Sequence, residues 1–186
     1  LKPSKALLKL PAPARKAAAA LLNAMGDRRT ARLLTVMGHK GVDALWRLTN
    51  QRTELRLAEL DAWNRAEVDA VICPAHSVPA MPHGESGDYV LGTGYLFRYS
   101  IFAFRAGTVP VTRVRADEAG LMPPGGDRVE KKQAAFDKAS VGLPVGVQVV
   151  ARPYREATAV AVMAAVEAAA RAHSLDFPVT PIDPKG

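Results

Sequence analysis

Apolar and polar positions follow two rhythms along this chain. From about Arg15 through Ala17–Ala20 to Met25 the pattern is helical, and Gly26 is placed to stop it. Ahead of that stretch Leu7, Leu8 and Leu10 alternate with Lys5 and Lys9 until Pro11 and Pro13 break the run. Residues 30–66 predict helix, interrupted at Gly38 and Gly41. Leu33, Leu34 and Met37 cluster within about one turn, and Leu45, Leu48, Leu55 and Ala62 recur at helical spacing between Arg47, Arg52, Glu54 and Glu59. Trp46 and Trp63 are expected to pack. The rhythm then changes. Val68–Cys73, closed by Pro74, is a short apolar run that predicts a buried strand of a mostly parallel sheet. Arg105–Gly107 predicts a turn and Val109–Val114 a second strand, with Pro110 marking an edge or a strand start. Residues 115–139 are charged and predict an exposed excursion. Val145–Val150 is a third buried strand, ended by Arg152-Pro153, and Glu156–Ala172 an alanine-rich helix.

Apolar strands separated by helices predict an α/β fold. Three strands are few for this length, so apolar strand surface stays uncovered unless more chain completes the sheet. Composition agrees with one soluble globular domain: 48% of residues are hydrophobic and 23% charged over 186 residues. No run reaches the roughly 18 uncharged apolar residues a membrane span needs. An opening at Leu1 rather than Met suggests a processed or excised piece.

Charge and chemistry narrow the picture further. The formal net charge is +7, with a local excess at Lys2, Lys5, Lys9, Arg15, Lys16, Arg28, Arg29 and Arg32. No zinc-finger spacing, RNA-binding aromatic signature or basic heptad accompanies it, so no nucleic-acid partner is expected. Residues 1–25 allow two readings: an amphipathic helix packed on the protein, or a basic, leucine-rich surface touching a membrane. The single cysteine, Cys73, excludes an intrachain disulfide and fits a reducing, cytoplasmic setting. Within an apolar strand its thiol should be inert, with a raised pKa. His76 and His83 lack a nearby third ligand and read as loop histidines. None of Ser4, Ser77, Ser86, Ser100, Ser140 or Ser174 lies in a Gly-x-Ser-x-Gly turn, and no phosphate loop is present. The aromatic run Tyr89–Phe104 is core or the wall of an apolar pocket.

Three blocks carry a family resemblance. They are Asp69-Ala70-Val71-Ile72-Cys73-Pro74, then Ala106-Gly107-Thr108-Val109-Pro110-Val111-Thr112, and then Val141-Gly142-Leu143-Pro144-Val145-Gly146-Val147-Gln148 running on to Pro153-Tyr154. In this order they resemble the C-terminal part of the amidase-signature serine hydrolases, across about residues 20–172. Leu21–Met25, Leu45-Trp46, Arg56, Trp63 and Phe104 resemble the fatty acid amide hydrolase branch in particular. Arg105 departs from that pattern, standing where the family usually has proline, and no tryptophan occurs near 127–133.

The resemblance implies the C-terminal part of the amidase-signature fold, a mixed, mostly parallel sheet flanked by helices and incomplete on its own. It divides the chain into a cap-like segment, 1–25, and part of the amidase domain, 26–186. It implies hydrolysis of carboxylic amides, fatty amides included, by a lysine, a bridging serine and a nucleophilic serine that lie in a missing N-terminal half. No catalytic residue, cofactor or metal is then expected in this chain, and the chain alone should be inactive. Leu21, Met25, Thr93 and Phe97 match substrate-channel positions. The partners implied are an amide substrate and the missing half, with peripheral membrane contact through 1–25 and a homodimer left open. A non-catalytic binding or scaffolding domain derived from an amidase is the competing reading.

Overall fold

The computed structural model describes residues 10–86, 89, 92–123, 125–173 and 176–179. The leucine–lysine run before residue 10 and the tail from residue 180 lie outside the described residues.

Helix α1 (Ala12–Ala24) begins on its prolines. Pro11 is the N-cap and Pro13 falls in the first turn, where a missing N–H leaves no hydrogen bond unmade. Gly26, at a φ of 85°, ends it. Asp27 accepts the N–H of Thr30 at 3.3 Å and caps α2 (Arg28–Val36). The two helices close on Ala19, Ala31 and Leu34. After Gly38 and Gly41 come α3 (Val42–Arg65), β1 (Ala70–Pro74), α4 (Gly94–Ile101), β2 (Arg105–Arg113), α5 (Arg128–Lys138), β3 (Pro144–Ala151) and α6 (Glu156–His173). No helix among the described residues is long and apolar enough to cross a membrane.

The strands pair in the order β1-β3-β2, and both ladders run antiparallel. This corrects the expectation of a mostly parallel arrangement. A continuous apolar run carries no information about the direction of a strand's neighbours. In β3 the expectation of burial holds, since Gln148, Val149, Val150 and Ala151 are all buried. β1 is an edge strand and only half-covered, with Ile72 exposed. β2 is the other edge and carries an irregularity between Pro110 and Thr112, which suits the proline anticipated there.

The register assigns the two faces of the sheet. Ile72, Val149 and Gly107 align on one face. There α6 packs across β2 and β3, with Met163 lying where a side chain on Gly107 would go. On the other face Val150 joins Trp63 of α3, Tyr99 of α4 and Phe104, with Val71 and Cys73 against them. Trp63 and Phe104 meet edge-on, their ring centroids 4.8 Å apart. Arg152, just past β3, ties the entry of β1 to the end of α3. Its Nε and Nη2 donate to the Val68 carbonyl at 3.1 and 2.7 Å, and its Nη1 donates to Asn64.

Three further expectations are corrected. Arg105–Gly107 is strand, and the chain turns earlier, at Ala103 with a φ of 57°. The excursion contains helix α5, nucleated by a reciprocal cap in which Asp127 and Glu130 each hold the other's backbone. Its Val129 and Phe136 pack with Tyr89 and Val78 in a cluster away from the sheet. Trp63 is 6% exposed but Trp46 is 63% exposed, so of the two tryptophans on α3 only Trp63 packs.

Candidate functional site

Two pairs of residues were expected to line a substrate channel. Leu21 lies on α1 and Met25 is its C-cap, one turn on, with the Met25 N–H donating to the Leu21 carbonyl at 3.0 Å. Thr93 is the N-cap of α4 and Phe97 lies one turn into it, its N–H donating to the Thr93 carbonyl at 3.2 Å. Each pair therefore shares one side of its helix. Leu21 and Met25 are exposed, Met25 at 73%; Phe97 is 52% exposed and Thr93 half-buried. Leu21, Met25 and Phe97 are thus apolar side chains presented outward from two separate elements.

A cavity of about 420 Å³ opens at the start of α4, and none of the four lines it. Arg29 of α2 forms one wall, Gly94, Tyr95 and Arg98 of α4 another, and Val129 and Gln133 of α5 a third. Its polar groups are fixed from behind. Arg98 Nη2 donates to both carboxylate oxygens of Glu59, at 2.8 and 3.0 Å. Gln133 Nε2 donates to the Ser77 carbonyl at 3.2 Å. The Ser77 hydroxyl donates to the Gly92 carbonyl at 2.9 Å and lies 2.9 Å from the Tyr89 hydroxyl. Burial holds the Tyr89 phenol above its ordinary range. Ser77 therefore acts as a structural bridge across the base of α4. Neither Arg29 nor Arg98 was singled out for a site by the sequence, since each is one arginine among many and only the packing brings them to one wall.

A second cavity, about 470 Å³, opens at the end of β1 between Ile72, Pro74, His76, Thr108 and Val145. His76 Nδ1 accepts the Val78 N–H at 3.3 Å, and burial pulls the imidazole below its ordinary pKa. Its Nε2 is buried with no hydrogen-bond partner among the described residues. Among those residues no three His, Cys, Asp or Glu side chains converge as a metal site. Gln148 Nε2 points at the Cys73 sulfur, 3.8 Å away. Cys73 is half-buried rather than sealed, and desolvation raises its thiol as anticipated.

Comparison with known proteins agrees with the blocks in the sequence. A family model described as Amidase matches residues 13–160. The chain is 34% identical over 135 residues to fatty acid amide hydrolase 1 of Caenorhabditis elegans, covering 66% of this chain and 24% of that protein. It is 32% identical over 143 residues to fatty-acid amide hydrolase 1 of Sus scrofa, covering 75% of this chain and 24% of that one. The chain thus spans about a quarter of the length of these curated relatives.

Proposed function

The chain belongs to the amidase family, and on that premise we propose that it is the C-terminal part of an amide hydrolase whose reactive serines and lysine lie outside it. Its contribution is scaffold and wall. β1, β3 and β2 extend a larger sheet, and Leu21, Met25, Thr93 and Phe97 line the passage through which an amide with an apolar acyl group reaches the reactive serine. Apolar walls suit such a substrate because each buried methylene is worth about 0.8 kcal/mol.

The observation that carries this reading is the bare apolar flank. Ile72 on edge strand β1, Leu45, Trp46, Leu48 and Leu55 on α3, and Phe97 and Ile101 on α4 are all exposed. Leu48, Leu55 and Ile101 line one groove between α3 and α4, and monomeric soluble proteins rarely leave a large apolar patch in water unless something covers it. The hydrophobic residues of the described chain gather in three small clusters instead of one contiguous core.

The test has two arms. The purified 186-residue chain is assayed against short, aromatic and long-chain amides, and no turnover is expected. The polypeptide encoded with its upstream sequence is assayed alongside, and turnover is expected there. Phe97→Ala and Met25→Ala should raise KM for long-chain amides more than for short ones, by about fourfold for each methylene that loses contact. Turnover by the short chain alone, or none by the longer polypeptide, would end the reading.

A further inference from the structure

The two edges of the sheet are built differently. β2 is blunted against further pairing. Arg105 and Arg113 stand at its two ends, Pro110 lacks an N–H, and the register breaks between Pro110 and Thr112. Charges, prolines and bulges are the devices that keep an edge strand from taking on another strand. β1 carries almost none of them. It reads Ala-Val-Ile-Cys-Pro, with no charge, and its one proline is its last residue. Beyond the ladder to β3, no backbone-to-backbone hydrogen bond among the described residues reaches Ala70–Pro74.

The cover over the sheet is lopsided in the same sense. α6 lies mainly over β2 and β3 and least over β1. Ile72 is left 54% exposed on that face, while Val149, its partner across the ladder, is fully buried. On the opposite face Val71 and Cys73 pack against the cluster of Trp63, Tyr99 and Phe104. β1 is therefore sealed on one face, bare on the other and unpaired along its outer side. An apolar strand left in that state invites pairing with another strand.

We propose that the outer edge of β1, over Ala70–Cys73, is the docking seam for one further β-strand from the polypeptide upstream of residue 1, and that the same upstream part covers Ile72. This rests on the reading of the chain as the C-terminal part of a longer amide hydrolase. It goes beyond that reading by assigning the continuation to β1 and denying it to β2. The chain matches 24% of the length of each relative, so a family member of that size has ample chain to supply the strand.

The experiment compares amide hydrogen exchange of the 186-residue chain with that of the longer polypeptide encoded with its upstream sequence. In the shorter chain the outward-facing amides of Ala70–Cys73 and of β2 should both exchange at nearly the free-chain rate. In the longer one those of β1 should slow at least tenfold, and the outward-facing amides of β2 should stay fast. Ile72→Lys should leave the thermal midpoint of the shorter chain unchanged. In the longer polypeptide it should speed β1 exchange about tenfold, because there it buries a charge in place of an apolar side chain. Fast β1 exchange in the longer polypeptide, equal slowing at the outer edge of β2, or no effect of Ile72→Lys there would each overturn the seam. Protection of β1 that grows with the concentration of the shorter chain would assign the edge to a second copy and overturn it too. Turnover with β1 unprotected would refute the seam alone, whereas protected β1 without turnover would refute the amide hydrolase alone.

Discussion

Gly146 sits in β3 opposite Pro110, and a Cβ there would lie 3.0 Å from Thr108 Cγ2 and 3.2 Å from the Val109 carbonyl. The glycine thus admits a close contact with the neighbouring strand. Gly146→Ala should cost about 1 kcal/mol as β2 shifts to accommodate it, read as a lower urea midpoint at unchanged m-value. His76 makes a pH prediction at the same scale. Its folded pKa is depressed by burial, so the unfolded chain takes up the proton first as pH falls. The stability this neutral imidazole contributes is present above the ordinary histidine pKa and is lost on acidification below it. The urea midpoint should fall between pH 7.5 and 5.5, and His76→Asn should flatten that fall. A variant with the wild-type slope would rule out His76 as the cause.

Helix α5 shows how an element can be missed and then explained. Its surroundings are charged and proline-rich, and hydrophobic spacing alone marks it poorly. The information was in Asp127-x-x-Glu130, a capping signature that leads into Val129 and Phe136, the two residues that anchor the helix on Tyr89. The Tyr89 and Phe136 rings meet nearly perpendicular at 5.1 Å. Asp127→Ala removes the acceptor for the Val129 N–H at 2.7 Å and leaves that donor unpaired. The variant should be destabilised by about 1 kcal/mol, seen as a lower thermal midpoint. Asp127→Asn, which keeps an acceptor, should recover most of it. Helices α1, α2, α3 and α6 were legible because each combines an apolar stripe with a glycine or proline boundary, whereas α4 stayed ambiguous between core and pocket wall. Tyr99 faces the Trp63–Phe104 cluster, while Tyr95 and Phe97 are exposed.

Across the whole molecule the uncovered apolar surface dominates. Leu48 and Leu55 on α3 form a groove of about 460 Å³ with Ile101 and Phe102. The chain by itself should self-associate through this side at micromolar concentration. Leu48→Lys with Leu55→Lys should shift its sedimentation toward monomer and leave far-UV circular dichroism unchanged. Association that persists in the double variant would show that another surface is responsible.

The sequence by itself determined the helices and strands that carry strong periodicity, the edge role of the Pro110 strand, the burial of Val149 and Val150, and the family, because each is written in neighbouring residues or in an uninterrupted motif. Strand direction, the half-exposed state of β1, the exposure of Trp46 and the meeting of Arg29 with Asp127 and Glu130 were decided only by the tertiary structure. Antiparallel and parallel partners cover the same apolar run equally well. A salt bridge between residues 29 and 130 depends on how two distant capped helices are brought together, which no local pattern records.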